Sequence, residues 1–451
     1  MSHVIVNPAT EEIVSTLELA SLEEMDLAIE RATHAASSWR AVSPVDRARL
    51  LRRFSEVVDS HLEELAQLEV ANSGHTISNA RWEAGNVRDV LAYYAGAPER
   101  HSGKQIPVAG GVDVTFYEPI GVVGIIVPWN FPLPIAGWGL GPALAAGNTV
   151  VMKPATYTPL TAIRLAELGL EAGLPEGVFQ VVPGDGSRVG FRLVTHPAVG
   201  KICFTGSNEA GRAIMRGCAD HVKRLTLELG GKSANVIFAD ADIERAASAA
   251  PGSVFDNAGQ DCCARSRILV QESAYDTFME HFEQAVRAFR VLDPLRDDSE
   301  MGPLITAGQR ESVAAYVDES KVAFRGSVPE GPGWWFPPTV LVENDLSSPS
   351  YCEEIFGPVV SVVRFSDEAD AVRLANDTPY GLSGSLWTRD LGRALRVARA
   401  IDTGVLSVNS HASVRYATPF GGFKQSGLGR ELGPDALKSF SEEKNVFFAD
   451  H

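Results

Sequence analysis

Between Tyr117 and Val182 the chain reads YEPIGVVGIIVPWNFPLPIAGWGLGPALAAGNTVVMKPATYTPLTAIRLAELGLEAGLPEGVFQVV. Three short apolar runs, Val122–Val127, Thr149–Met152 and Val178–Val182, have the length and β-branched content of strands and are bounded by Gly or Pro turns. Between the last two, Pro159–Ala172 carries apolar residues at helical spacing. Strand, helix, strand is the signature of a parallel sheet, because parallel neighbours need a long crossover.

The same grammar restarts downstream. Ala234–Phe238 reads as a strand, Ile243–Ala250 as the start of a helix and Ile268–Val270 as a strand, followed by a long helix around Ala274–Phe289. Val340–Val342, Val359–Phe365 and then the helical Asp367–Asn376 continue it. The fold class is therefore α/β in two units, joined near Leu229-Gly230-Gly231. Upstream, Ser21–Trp39 and Pro44–Ala71 show three- and four-residue apolar spacing and read as helices. No internal repeat or low-complexity tract interrupts the chain.

At 451 residues the chain exceeds what one hydrophobic core serves. A net charge of −17, from 40 basic and 57 acidic residues, argues against nucleic acid and anionic membranes as partners. Apolar runs such as Gly121–Val127 are too short to span a bilayer. Five cysteines, an odd number, with no N-terminal apolar stretch lead us to expect a reduced, cytoplasmic protein. No Cys/His group has metal-ligand spacing, so no metal is expected.

Three segments could carry chemistry. In Gly259-Gln260-Asp261-Cys262-Cys263-Ala264, a turn delivers a thiol to the start of a helix or strand, where backbone N–H groups would lower its pKa. The same hexapeptide also reads as two buried small hydrophobes. Glu228, between leucines and ahead of two glycines, is either a general base with a pKa raised by burial or a solvated strand-edge carboxylate. In Val127-Pro128-Trp129-Asn130-Phe131-Pro132, two prolines fix a loop in which Asn130 is an oxyanion donor and Phe131 a pocket wall, or which is only a turn.

In order and spacing these segments, with Glu354-Ile355-Phe356-Gly357-Pro358 and Pro419-Phe420-Gly421-Gly422, resemble the aldehyde dehydrogenase superfamily from Val6 to Val446. That resemblance implies a Rossmann-like cofactor domain from 1–98 and 119–229 and a catalytic domain from 230–430. A small β oligomerisation element, from 99–118 and 431–451, would make a homodimer or homotetramer. It implies oxidation of a small-molecule aldehyde to its carboxylate, with Cys262 as nucleophile, Glu228 as base, and Asn130 with the Cys262 N–H as the oxyanion hole. Cys263 is expected to pack away from the substrate. Less favoured alternatives are a coenzyme-A-acylating enzyme and a non-catalytic relative; the presence of Glu228 and Cys262 argues against each.

For the cofactor, NAD or NADP, the glycine-bearing turns around Gly186 and Gly206 precede helices, whose N-termini suit a pyrophosphate. By resemblance Ser207 faces the pyrophosphate, Glu354 the nicotinamide ribose and Lys153 the adenosine ribose, with Trp129 and Phe356 close by. NAD-preferring members carry a glutamate where this chain has Thr156, so NADP acceptance with dual use is expected, Lys153 and Arg188 supplying cations. The family also usually has an extra strand pair before the Asn7-Pro8-Ala9-Thr10 segment. For the substrate pocket the resemblance gives Phe131, Trp138, Asp261, Phe420 and the helix near Trp82, Glu83 and Asn86. The acidic Glu83 and Asp261 raise a semialdehyde or, more directly, an aminoaldehyde specialist; alternatively Glu83 is solvated and Asp261 held by backbone.

Overall fold

The run Val122–Ile126 becomes a strand at the heart of a six-stranded sheet, buried on both faces as a parallel sheet between helices requires. We describe the protein from a computed structural model covering residues 2–412 and 414–450. Across this sheet the strands run Phe179–Val181, Thr149–Lys153, Val122–Ile126, Val199–Thr205, Arg224–Glu228 and Gly427–Leu428. All are parallel except the last, which pairs antiparallel with Leu227 and Glu228. The strand order reverses between Val122–Ile126 and Val199–Thr205, which opens a crevice at their C-terminal ends.

The second sheet has seven strands, in the order Val322–Arg325, Thr339–Val342, Val359–Phe365, Arg267–Gln271, Ala234–Ile237, Ser383–Trp387 and Val405–Val408. Only Val322–Arg325 runs antiparallel. The Leu229-Gly230-Gly231 junction lies between the two sheets, as its glycines suggest. Gly427–Leu428, however, returns to the first sheet from within the span assigned to the second unit.

A third, three-stranded antiparallel sheet pairs Gly111–Pro119 with Gln105–Val108 on one side and Ser441–Ala449 on the other. Ser441–Ala449 is an edge strand, and its Phe447 and Phe448 are exposed. Near the N-terminus, Ser2–Val6 and Ile13–Glu18 form a hairpin around Asn7-Pro8-Ala9-Thr10.

Two elements differ from the sequence reading. The helix expected over Pro44–Ala71 is two helices, Pro44–Ser60 and Leu62–Ser73. At the break, the Ser60 hydroxyl donates to the Val57 carbonyl and His61 Nδ1 lies 2.9 Å from the same oxygen, competing with the helical ladder. Pro132–Ala145, the crossover after the first strand, is a helix with no polar face, because all its residues are buried between neighbours. Among the described residues, no helix is long and apolar enough to cross a membrane.

Candidate active site

The C-terminal ends of the first sheet face the N-terminal ends of the second, and the chemistry-bearing side chains come from both. Asn130 lies on the loop leaving Val122–Ile126, Ser207 follows Val199–Thr205, and Glu228 ends Arg224–Glu228. From the other side, Cys262 precedes Arg267–Gln271 and Glu354 precedes Val359–Phe365, two strands that pair directly.

Cys262 is held by a left-handed turn. Asn257, Ala258 and Gly259 have φ of 48°, 52° and 69°, a conformation costing a non-glycine residue roughly 1–2 kcal/mol. Side chains keep the turn in place. Asn257 Nδ2 donates to the Asn130 carbonyl at 2.8 Å, and Gln260 Nε2 to the Asn257 carbonyl at 3.1 Å. Gln260 Oε1 accepts from the Ile305 amide at 2.9 Å. The Asn130 amide itself donates to the Gln260 carbonyl at 3.0 Å. No periodicity in the sequence marks this turn; its only signal is the Asn-Ala-Gly-Gln string.

Cys262 therefore sits in a tight turn ahead of a strand. Asp261 Oδ1 accepts from the Cys263 amide at 2.8 Å, so its carboxylate is held by backbone while it borders the cleft. The expected lowering of the Cys262 pKa is not found. A hydrogen bond with Cys263, burial, and the negative charge of Asp261 and Glu354 push this thiol well up. Cys263 is buried behind it in the core, though it still touches the cleft wall.

Glu228 is 2 % exposed and neither of its oxygens has a hydrogen-bond partner. Burial and the neighbouring Glu431 carboxylate push its pKa well above the usual range. Glu431, overlooked in the sequence, is itself buried and raised to about 7 by desolvation, partly offset by Lys201. Its proximity to Glu228, 203 positions away in the chain, is a product of the fold.

Two cavities meet at Cys262, which among the described residues is the one that lines both. The larger, about 390 Å³, has Phe131, Trp138 and Phe420 as aromatic walls, joined by Trp82. Trp138 is pinned by Nε1 donating to Asn86 Oδ1 at 2.9 Å and by the Phe420 ring 5.0 Å away. Glu83 does not line this cleft, and it is not solvated either. It is 0 % exposed and hydrogen-bonded to His75, on the inward face of the helix whose outward face carries Trp82.

The smaller cavity, about 220 Å³, is lined by Trp129, Asn130, Gly206, Ser207, Glu228, Glu354 and Phe356. The Trp129 and Phe356 rings meet edge-on at 5.3 Å. Glu354 Oε1 accepts from the Gly231 amide at 2.8 Å, and a Cβ on Gly230 would come within 2.3 Å of Glu354 Oε2. Ser207 caps the twelve-residue helix Asn208–Ala219. An aromatic slot beside a helix N-terminus at a strand-order reversal fits a dinucleotide.

Lys153, Thr156, Arg188 and Gly186 lie outside this cavity, at the neighbouring strand end. Lys153 is buried, its pKa lowered to about 8 by desolvation against the pull of Asp185, and a Cβ on Gly186 would lie 3.7 Å from its Nζ. Thr156 is half-buried and Arg188 is exposed.

Residues 2–446 match the aldehyde dehydrogenase family. An aldehyde dehydrogenase of Emericella nidulans is 39% identical over 98% of this chain and 91% of its own length. Betaine aldehyde dehydrogenase of Staphylococcus aureus, solved with NAD+, superposes with a TM-score of 0.96 at 37% identity, covering 99% of this chain and 91% of its own. An NADP-dependent enzyme of E. coli has a TM-score of 0.97 at 36% identity, covering 100% and 95%.

The turn before Cys262 yields a direct test. A Cβ on Gly259 would lie 2.1 Å from the Gly357 carbonyl oxygen, on a backbone with positive φ. Gly259→Ala should lower kcat by about a hundredfold through a displacement of about 1 Å at the thiol. Steady-state kinetics on folded protein checks this; unchanged kcat would mean that the turn does not set the Cys262 position.

Proposed function

The chain belongs to the aldehyde dehydrogenase family of NAD(P)-dependent oxidoreductases, and from that premise we propose that it oxidises an aldehyde to its carboxylate through a thioester on Cys262. The observation that carries this reading is Cys262 at the junction of the two cavities, with Glu228 lining the smaller one. A nucleophile shared by a substrate cleft and a cofactor slot can bond an aldehyde carbon while presenting its hydrogen to the far side.

Attack of the Cys262 sulfur on the carbonyl gives a thiohemiacetal. Its oxyanion takes hydrogen bonds from the Asn130 side chain and the Cys262 amide, once Asn130 turns from the Gln260 carbonyl. A nicotinamide dinucleotide held between Ser207, Glu354 and Phe356 would supply the acceptor for the hydride lost from the substrate carbon. The hydrogen bond with Cys263 and burial favour the neutral thiol of Cys262, and burial with the Glu431 carboxylate favours the neutral acid of Glu228. Ionised Glu228, its oxygens free of protein partners, then takes a proton from the water that hydrolyses the thioester.

The aromatic walls of the cleft support a bulky apolar or aromatic aldehyde. Glu83 gives the aminoaldehyde reading no support, since it lies away from the cleft, whereas Asp261 still borders the cleft beside Cys262. Exposed Phe447 and Phe448 on the edge strand Ser441–Ala449 support a homodimer or homotetramer assembled through the three-stranded sheet. All five cysteines are unpaired, which suits a reducing compartment such as the cytoplasm.

Cys262→Ala should abolish NAD(P)H formation and Cys263→Ala should keep most of it; peptide mapping after iodoacetamide inactivation should find Cys262 alkylated. Labelling confined to Cys263 would reverse the assignment.

Glu228→Gln should retain a single burst of NAD(P)H in stopped-flow but turn over slowly. In the wild type, turnover should fall as pH drops through the raised pKa of Glu228, because the base must be ionised. Loss of the burst in folded variant would give Glu228 an earlier role.

NADP acceptance rests on Thr156 standing where a carboxylate would repel the 2′-phosphate, with Lys153 and Arg188 nearby in the chain fold. One charge-assisted contact is worth roughly 1.5–3 kcal/mol, about tenfold or more in preference. Thr156→Glu should lower kcat/KM for NADP far more than for NAD, and negligible wild-type turnover with saturating NADP would sink the idea.

A further inference from the structure

Behind the substrate cleft, three ionisable side chains meet away from water. Glu69 belongs to helix Leu62–Ser73, His75 follows that helix, and Glu83 belongs to helix Ile77–Ala95; their exposures are 0 %, 3 % and 0 %. One potential ligand atom from each lies within 4.8 Å of the other two. Glu69 is oriented from outside, its Oε2 accepting from Thr161 Oγ1 at 2.7 Å and its Oε1 from Asn72 Nδ2 at 3.3 Å. His75 Nδ1 hydrogen-bonds Glu83 Oε1. Glu83 Oε2 is buried with no partner at all.

This cluster is short of positive charge. The charged groups acting most strongly on Glu69 are Glu83 and His75, and on Glu83 it is Asp256; no Lys or Arg is among them. Burying two carboxylates against one imidazole is costly unless protons or a cation compensate. The open Glu83 oxygen gives a cation a place to bind.

We propose that Glu69, His75 and Glu83 form a site for one divalent metal ion, held by an oxygen of each glutamate and a nitrogen of the imidazole. Two hard oxygens with one imidazole and no thiolate select an ion of the Mn²⁺ to Zn²⁺ class. The Thr161 and Asn72 contacts to Glu69 are the outer hydrogen bonds that such ligands need for orientation. None of the three ligands lines either cavity, so the ion is structural. It would tie helices Leu62–Ser73 and Ile77–Ala95 together behind Phe131, whose ring lies 5.6 Å from that of His75. The ligands stand six and eight residues apart on two helices and the turn between them, so their spacing matches no metal motif in the sequence.

The test uses the full-length enzyme, stripped with chelator and titrated with Mn²⁺, followed by electron paramagnetic resonance and thermal melting. Mn²⁺ is chosen because Asp261, Cys262 and Cys263 form the other metal-capable group, and thiols bind it poorly. About one equivalent should bind, with a rise in melting temperature of about 3–5 °C at a hundredfold excess over Kd. Glu83→Gln should lose both effects. His75→Lys, which supplies its own cation, should fold without metal and also lose binding. Fewer than about 0.1 equivalents bound by the wild type, with no melting shift, would mean that protons neutralise the cluster and would overturn the proposal. Binding undiminished in both variants would equally overturn it, by moving the ion to another site.

Discussion

The Gln260 carbonyl joins the two halves of the active site. It accepts the Asn130 amide, from the loop at the end of the first sheet, at 3.0 Å, and the Asn257 amide, from the turn before the second, at 3.3 Å. Gln260 also fixes its own side chain, between the Asn257 carbonyl and the Ile305 amide. Three consecutive residues in the left-handed region are tolerated only because these bonds over-determine them. The strain is local, and it aims one thiol at the meeting of two cavities.

The ionisable groups around that thiol are mostly buried carboxylates, with Arg265 as a buried cation. Glu228, Glu354 and Glu431 are each raised, with burial as the largest cause in every case. Cys262 is raised by its neighbour Cys263 as well as by burial. The resting site thus stores protons rather than charge, and cationic ligands are the ones its electrostatics favour. The same burial that leaves both Glu228 oxygens without a protein partner disfavours a thiolate at Cys262.

Much of this was legible in the sequence because it depends on local pattern. Short β-branched runs between Gly and Pro placed strands such as Val122–Ile126, Thr149–Lys153 and Val359–Phe365 to within a residue or two, since burial on both faces leaves a continuous apolar signature, whereas Val199–Thr205, Arg224–Glu228 and Val322–Arg325 went unread. Asn130, Glu228, Cys262 and Glu354 could be selected from motif order, and the fold gathers them around one cavity. The helix Pro132–Ala145 escaped because total burial erases amphipathic spacing, and the break at His61 escaped because side-chain bonds to one carbonyl outweighed an unbroken apolar period.

Tertiary structure alone decided what depended on distant partners. Glu83 read as either a pocket acid or a solvated helix residue, and the fold makes it neither by turning it inward onto His75; Glu431 is a neighbour of Glu228 through the chain's return to the first sheet. The Cys262 pKa moved opposite to expectation because the hydrogen bond with Cys263, burial and the surrounding carboxylates all raise it. The sequence by itself determined the α/β class, the two units and the chemical inventory, since periodicity and residue type are local properties. Only the tertiary structure decided which groups share a cavity, which are desolvated and which face one another, because these depend on separations in space that no local spacing encodes.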